Sequence, residues 1–219
     1  MEPYDYRLRA RENLSGNWLL AALVTLIAIL LGGASTSSAS INIDQDDMEI
    51  IKNIPWLMRI VKPLLTYAAI TGFISFIVGG VVHLGYCTFH LNLYDHTPAT
   101  VGDLFSHFRG NFAGGFLLRL LTAVYIFLWS LLLIVPGIIK TYSYAMAPFI
   151  MAEHPEMNAN ECITMSKEIM HGHKMELFFL ELSFIGWIFL SIFTLGIGNV
   201  FLTPYITAAR AAFYRDIMD

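Results

Sequence analysis

The sequence predicts an all-α fold: a polytopic helical bundle in a membrane, with about six spans in a single integral domain, residues 1–219. Three observations carry that expectation. Hydrophobic residues make up 56% of the chain and charged ones only 14%, against about a quarter charged in a typical soluble domain. Mean hydropathy is +0.60, and several apolar runs approach or exceed the roughly 20 residues a helix needs to cross a bilayer. An amphipathic segment ending in glycine also recurs three times just before a span, and such repeats precede any reading of function.

The spans are expected near 18–35, 62–92, 113–135, 138–153, 175–195 and 199–216. The pairs Pro136-Gly137 and "GIGN" at 196–199 read as helix-breaking turns that close tight hairpins. The first hairpin instead has a longer outer loop, 34–58, rich in Ser, Thr and acid. Its cluster "DQDDME" lacks the glycine and the spaced terminal glutamate of a calcium loop, so a solvated loop is expected.

Basic residues orient the bundle. Arg7, Arg9, Arg11, Arg109, Arg119, Lys167, Lys174, Arg210 and Arg215 fall on the side of the termini, against Lys52, Arg59, Lys62 and Lys140 opposite. Nine against four places both termini in the cytoplasm of a multi-pass protein. A net charge of −4, with no basic patch, argues against a nucleic-acid partner. Cys87 and Cys162 fall on separate elements without ligand spacing.

The recurring segments are "RENLSGNW" at 11–18, "FSHFRGNF" at 105–112 and "SKEIMHGHK" at 166–174. In the middle one, Thr100 and Asp103 suit a helix start, and Val101, Leu104, Phe105, Phe108 and Phe112 line one face. In the third, Asn158 and Glu161 have capping-box spacing. Each reads as an interfacial helix, followed by a membrane hairpin whose second span ends in aromatics and an acid. The units are about 1–95, 96–155 and 156–219, all in the same orientation, which predicts a pseudo-threefold bundle.

Arg119 and Glu181 each lie nine residues past their segment's glycine, as Thr25 does in the first unit. A lone charge near the bilayer centre costs about 3 kcal/mol or more, so an Arg119–Glu181 pair is expected, with Thr25 or a tyrosine taking spare donors. The alternative is that Arg119 snorkels to the cytoplasmic interface. Lys140, Tyr142 and Tyr144, in "IKTYSYAMAP", complete the candidate polar cluster. They line a cavity or, equally, form an interface belt. Pro148 should kink its span, and glycines 72, 79, 80 and 85 should allow close helix approach.

Neither the His83/His90 pair nor His171/His173 has a third metal ligand at a persuasive spacing, and no segment reads as a phosphate loop or catalytic triad. No cofactor, metal or catalytic residue is therefore assigned.

The segments "LWSLLLIVPGIIKTYSYAMAPFIMAEHPEMNANECITMSKEIMHGHK" and "LFFLELSFIGWIFLSIFTLGIGNVFLTPYITAARAAFYRDI" resemble a bacterial family of integral membrane proteins. That family is known only as a domain of unknown function, the one numbered nine hundred and seventy-five. "RARENLSGNW" fits its opening. The resemblance implies a bacterial cytoplasmic-membrane protein and supplies no activity. Three functions stay open. The first is non-enzymatic binding or organising of membrane lipid, a small solute or another membrane protein. The second is a small channel or transporter along the threefold axis, and the third is a lipid-directed enzyme using Glu153, His154 or Glu181.

Overall fold

The computed structural model describes residues 2–34, 55–194 and 197–218, and these are helices joined by short links. The helices are α1 (Pro3–Leu14), α2 (Trp18–Leu30), α3 (Pro55–Tyr94), α4 (Phe112–Leu132), α5 (Ile134–Ser143) and α6 (Ala147–Glu153). They continue with α7 (Ala159–Ile169), α8 (Lys174–Leu182), α9 (Ile185–Phe193) and α10 (Ile197–Met218), and a 3-10 helix spans Val101–Phe108. The acidic cluster of the outer loop lies outside the described residues.

Local chemistry sets the boundaries. Pro3 opens α1, where no amide donor is needed, and Asp5 returns to the Glu2 amide at 3.0 Å. Thr100 with Asp103, and Asn158 with Glu161, form the capping boxes their spacing predicts. The middle segment winds as a 3-10 helix, tighter than the α-helix its apolar stripe suggests; Leu104 and His107 are its buried side chains. α1 stops before Gly16, and the turn after α7 uses Gly172; both are left-handed, at φ +83° and +95°.

Among the described residues, two helical stretches, Gly72–Tyr94 and Phe112–Leu132, are long and apolar enough to cross a membrane. The pair α1 and α2, bent by 100°, makes a third if it is one broken span. The other expected spans are helical but interrupted. The stretch 138–153 divides at Tyr144–Met146, and Pro148 sits in the first turn of α6, as its lack of an amide proton favours. The stretch 175–195 divides at Ser183 and Phe184, where the Ser183 hydroxyl donates to the Leu180 carbonyl at 2.6 Å.

The turn expected at Pro136-Gly137 falls three residues earlier. Leu133 is extended, at φ −162° and ψ 145°, and Pro136 lies in the first turn of α5. A proline there breaks no helical hydrogen bond, so the chain turns before it rather than at it. Of the glycines expected at close approaches, Gly79, Gly80 and Gly85 lie against other backbones, whereas Gly72 faces open space.

α10 is the central packing element, set against α1, α2, α3 and α9. Its buried Ala208, Ala209, Ala211 and Ala212 let neighbours approach closely. α4 is the opposite case: Phe127, Leu128, Leu131 and Leu132 are exposed. A contiguous apolar surface of this kind marks a membrane or protein contact.

Candidate functional site

The site is built where α2 ends. After Leu31 the chain enters a left-handed Gly32 at φ +76°, the Gly33 amide returns to the Ala28 carbonyl at 2.7 Å, and Gly32 returns to Ile29 at 3.0 Å. This pair of bonds closes the helix by the Schellman arrangement. At 13 residues α2 is only about 20 Å long, shorter than the stretch a helix needs to cross a bilayer by itself. The carbonyls of Gly32 and Gly33 still need donors.

Both receive them from side chains on other helices. Arg119 Nη1, from α4, donates to the Gly32 oxygen at 2.8 Å. His83 Nδ1, from α3, lies 2.7 Å from the Gly33 oxygen. Since a carbonyl only accepts, that contact fixes the imidazole proton on Nδ1 and leaves Nε2 free. The Arg119 guanidinium also lies 5.7 Å from the centre of the Phe76 ring, on its face.

Glycines make the junction possible. A β-carbon at Gly79 would overlap the Gly32 oxygen and Arg119 Nη1, and one at Gly80 would lie 2.6 Å from the Gly115 oxygen. The sequence contains this signal as a cluster of small residues opposite a lone arginine, yet it gives no means of matching Gly32 to Arg119.

Beside the junction lies a cavity of about 290 Å³ among the link after α2, α3, α4 and α6. Arg119, His83 and Thr122 are its polar lining; Leu84, Leu118 and Ile126 are among its apolar walls. Among the described residues, none that lines it is an acid. The chemistry offered is a fixed cation and a hydroxyl in an apolar wall.

The expected Arg119–Glu181 pair is not formed. α8 packs against α1, α5 and α10, and its Glu181 takes its partners from two of them. Arg210 Nη2 donates to Glu181 Oε1 at 2.6 Å and the Tyr142 hydroxyl to Oε2 at 2.9 Å. An equal offset from a glycine is therefore not contact, because neighbours on adjacent helices decide the pairing. Arg210, in "ITAARAAF", falls in an expected span, but in the sequence it bears only on orientation.

The remaining candidates divide between two further places. Thr25 is fully buried, donates to the Ala21 carbonyl at 2.6 Å and pairs with the Tyr86 hydroxyl at 2.9 Å. Lys140 lies over the Trp129 ring, 4.6 Å from its centre, and lines a cleft with Tyr144 and Lys167. The sequence count set Lys140 and Lys167 on opposite faces. α5 packs back along α4, however, and Lys140 is about 10 Å of helical rise past the Leu133 break.

A second polar cluster, missed in the sequence, gathers the ends of α3, α6 and α10. Arg215 bonds Glu153 through Nη1 at 2.6 Å and meets Asp95 through both Nε and Nη2. The Tyr214 hydroxyl donates to Glu153 at 2.7 Å, and the Tyr6 hydroxyl donates to Asp216 at 2.6 Å. Burial and the neighbouring Asp216 push the Tyr6 phenol well above its ordinary range. The signal available was the acid closing each aromatic-rich helix end.

Residues 131–219 match the family described as "protein of unknown function (DUF975)". The match covers α5 to α10 and leaves "RARENLSGNW" outside it. No curated protein and no solved structure matches the chain.

Proposed function

We propose that this chain is a multi-pass protein of a bacterial cytoplasmic membrane, with both termini in the cytoplasm, that binds an anionic amphiphile without transforming it. A membrane lipid is the chemistry that fits. The observation that carries the reading is Arg119 at the wall of the 290 Å³ cavity, with His83 and Thr122 beside it and no acid among the described residues of its lining. An arginine charge in low-dielectric surroundings needs an anion, and among the described residues its partners are the neutral Gly32 carbonyl and the Phe76 ring.

Apolar walls beside that cation suit an acyl chain, and the exposed leucines and phenylalanines of α4 suit a lipid surface. A larger cleft of about 410 Å³, between α2, α9 and α10, repeats the pattern: Trp18, Trp187, Phe201 and Tyr205 form its walls, with Arg11 as its cation. Three parallel units of interfacial helix and hairpin remain the architecture proposed for the bundle. Moving Lys140 to the side of Lys167 strengthens the charge asymmetry behind cytoplasmic termini.

The test is retention of lipid. The purified chain, transferred to nanodiscs of phosphatidylcholine and phosphatidylglycerol, should keep phosphatidylglycerol in excess of the supplied ratio by native mass spectrometry. Arg119→Gln should abolish the excess, and Thr122→Val should reduce it. Bulk lipid ratios in the wild type would refute the reading. A water-filled path through both membrane faces would favour the transport alternative instead.

A further inference from the structure

The cleft that holds Lys140 has a chemistry of its own. It encloses about 320 Å³ and is lined by Tyr125, Trp129, Lys140 and Tyr144 from α4, α5 and the link after α5, and by Asn160, Ile163, Thr164 and Lys167 from α7. Among the described residues its charged members are two lysines, and no acid lines it. Among the described residues, the ion pairs of the chain engage Arg210, Arg215 and histidines, and neither lysine takes part in one. Glu161, the nearest acid on α7 to Asn160, is turned to the Asn158 amide at 2.8 Å.

The neutral groups are donors too. The Tyr125 hydroxyl donates to Asn160 Oδ1 at 3.1 Å, which occupies the amide oxygen and leaves the Asn160 NH₂ group to donate. Thr164 offers a hydroxyl. Lys140 is held over Trp129, so one cation is positioned in advance of any ligand.

We propose that this cleft binds a phosphomonoester group, clasped between Lys140 and Lys167 with the Asn160 amide and the Thr164 hydroxyl on its remaining oxygens. Two cations without a counter-ion match a group carrying about −1.5 to −2 charges at pH 7, and four donors match its three terminal oxygens. A carboxylate or phosphodiester would leave one lysine uncompensated. The aromatic wall of Trp129 and Tyr144 fits whatever apolar body bears the phosphate, whether a lipid or a soluble ester. The inference does not rest on the Arg119 cavity.

Titration calorimetry tests it on the full chain in phosphatidylcholine nanodiscs, with dihexanoyl phosphatidic acid and inorganic phosphate as probes. Phosphatidic acid should bind, and Lys140→Met and Lys167→Gln should each weaken it about tenfold. Lys167→Arg should retain binding, and binding that remains in Arg119→Gln should still be weakened by Lys167→Gln, which separates this site from the one proposed above. Binding of both probes points to free phosphate chemistry; binding of phosphatidic acid alone points to a lipid headgroup. Should Lys140→Met fail to fold, Lys167→Gln at its exposed position decides the matter. No binding of either probe, or undiminished binding in Lys167→Gln, overturns the proposal.

Discussion

Arg119 Nη1 and the Gly32 carbonyl meet at 2.8 Å across a sequence separation of 87 residues. The contact lets α2 end at Gly32 without leaving that backbone oxygen bare. Arg119→Met should therefore destabilise the fold by about 1–3 kcal/mol, the usual penalty for an orphaned buried acceptor. Gly79→Ala should cost as much or more, since its β-carbon would collide with both partners, while Gly72→Ala in open space should be silent. Unfolding midpoints in detergent check all three, and equal effects at Gly79 and Gly72 would remove the junction from the account.

Glu181 holds α8 to α10 through Arg210 and to α5 through Tyr142. Glu181→Gln should destabilise more than the paired change Glu181→Leu with Arg210→Met, because the single change strands a cation in apolar surroundings. A double-mutant cycle should return a coupling of about 1–2 kcal/mol for Glu181 and Arg210, and none for Glu181 and Arg119.

Arg215 gathers three helix ends by bonding Glu153 and Asp95 at once. Lysine has one ammonium and cannot serve both acids in the fork geometry. Arg215→Lys should speed amide hydrogen exchange at 92–95 and 151–154 together, while α4 is unaffected. Acceleration at one of these segments alone would mean that Arg215 does not couple them.

His107 links the 3-10 helix to α3: its Nε2 lies 3.5 Å from the Thr88 hydroxyl, and 8% of the residue is exposed. Burial lowers its affinity for a proton below the ordinary value of 6.5. The unfolded chain then binds the extra proton first as pH falls. Stability from this group is complete above about 6.5 and is lost progressively below it. Thermal midpoints between pH 5 and 8 should show that loss in the wild type, and His107→Gln should flatten it.

The apolar periodicity and capping chemistry of single segments were readable in advance. Thr100 with Asp103 and Asn158 with Glu161 cap the elements expected of them, because a capping box closes within four residues. Helix interruption was partly readable, since Pro148 marks its break by missing one amide proton. The break at Leu133 was not, for nothing in that leucine distinguishes it from its neighbours.

What the sequence determined by itself is the inventory: helices throughout, apolar faces enough for a membrane, and a few charges that would need partners there. The tertiary structure alone decided who those partners are. Arg119 and Glu181 looked matched because each lies nine residues past a glycine, Gly110 and Gly172. Side chains reach only a few ångströms, however, and α8 packs on α1, α5 and α10. Its acid therefore went to Arg210 and Tyr142, and Arg119 was left to a backbone oxygen that carries no label in the sequence. Local hydrogen bonds are written in residue spacing. Long-range ones depend on which helix ends stop where, and that is settled by the packing of the whole chain.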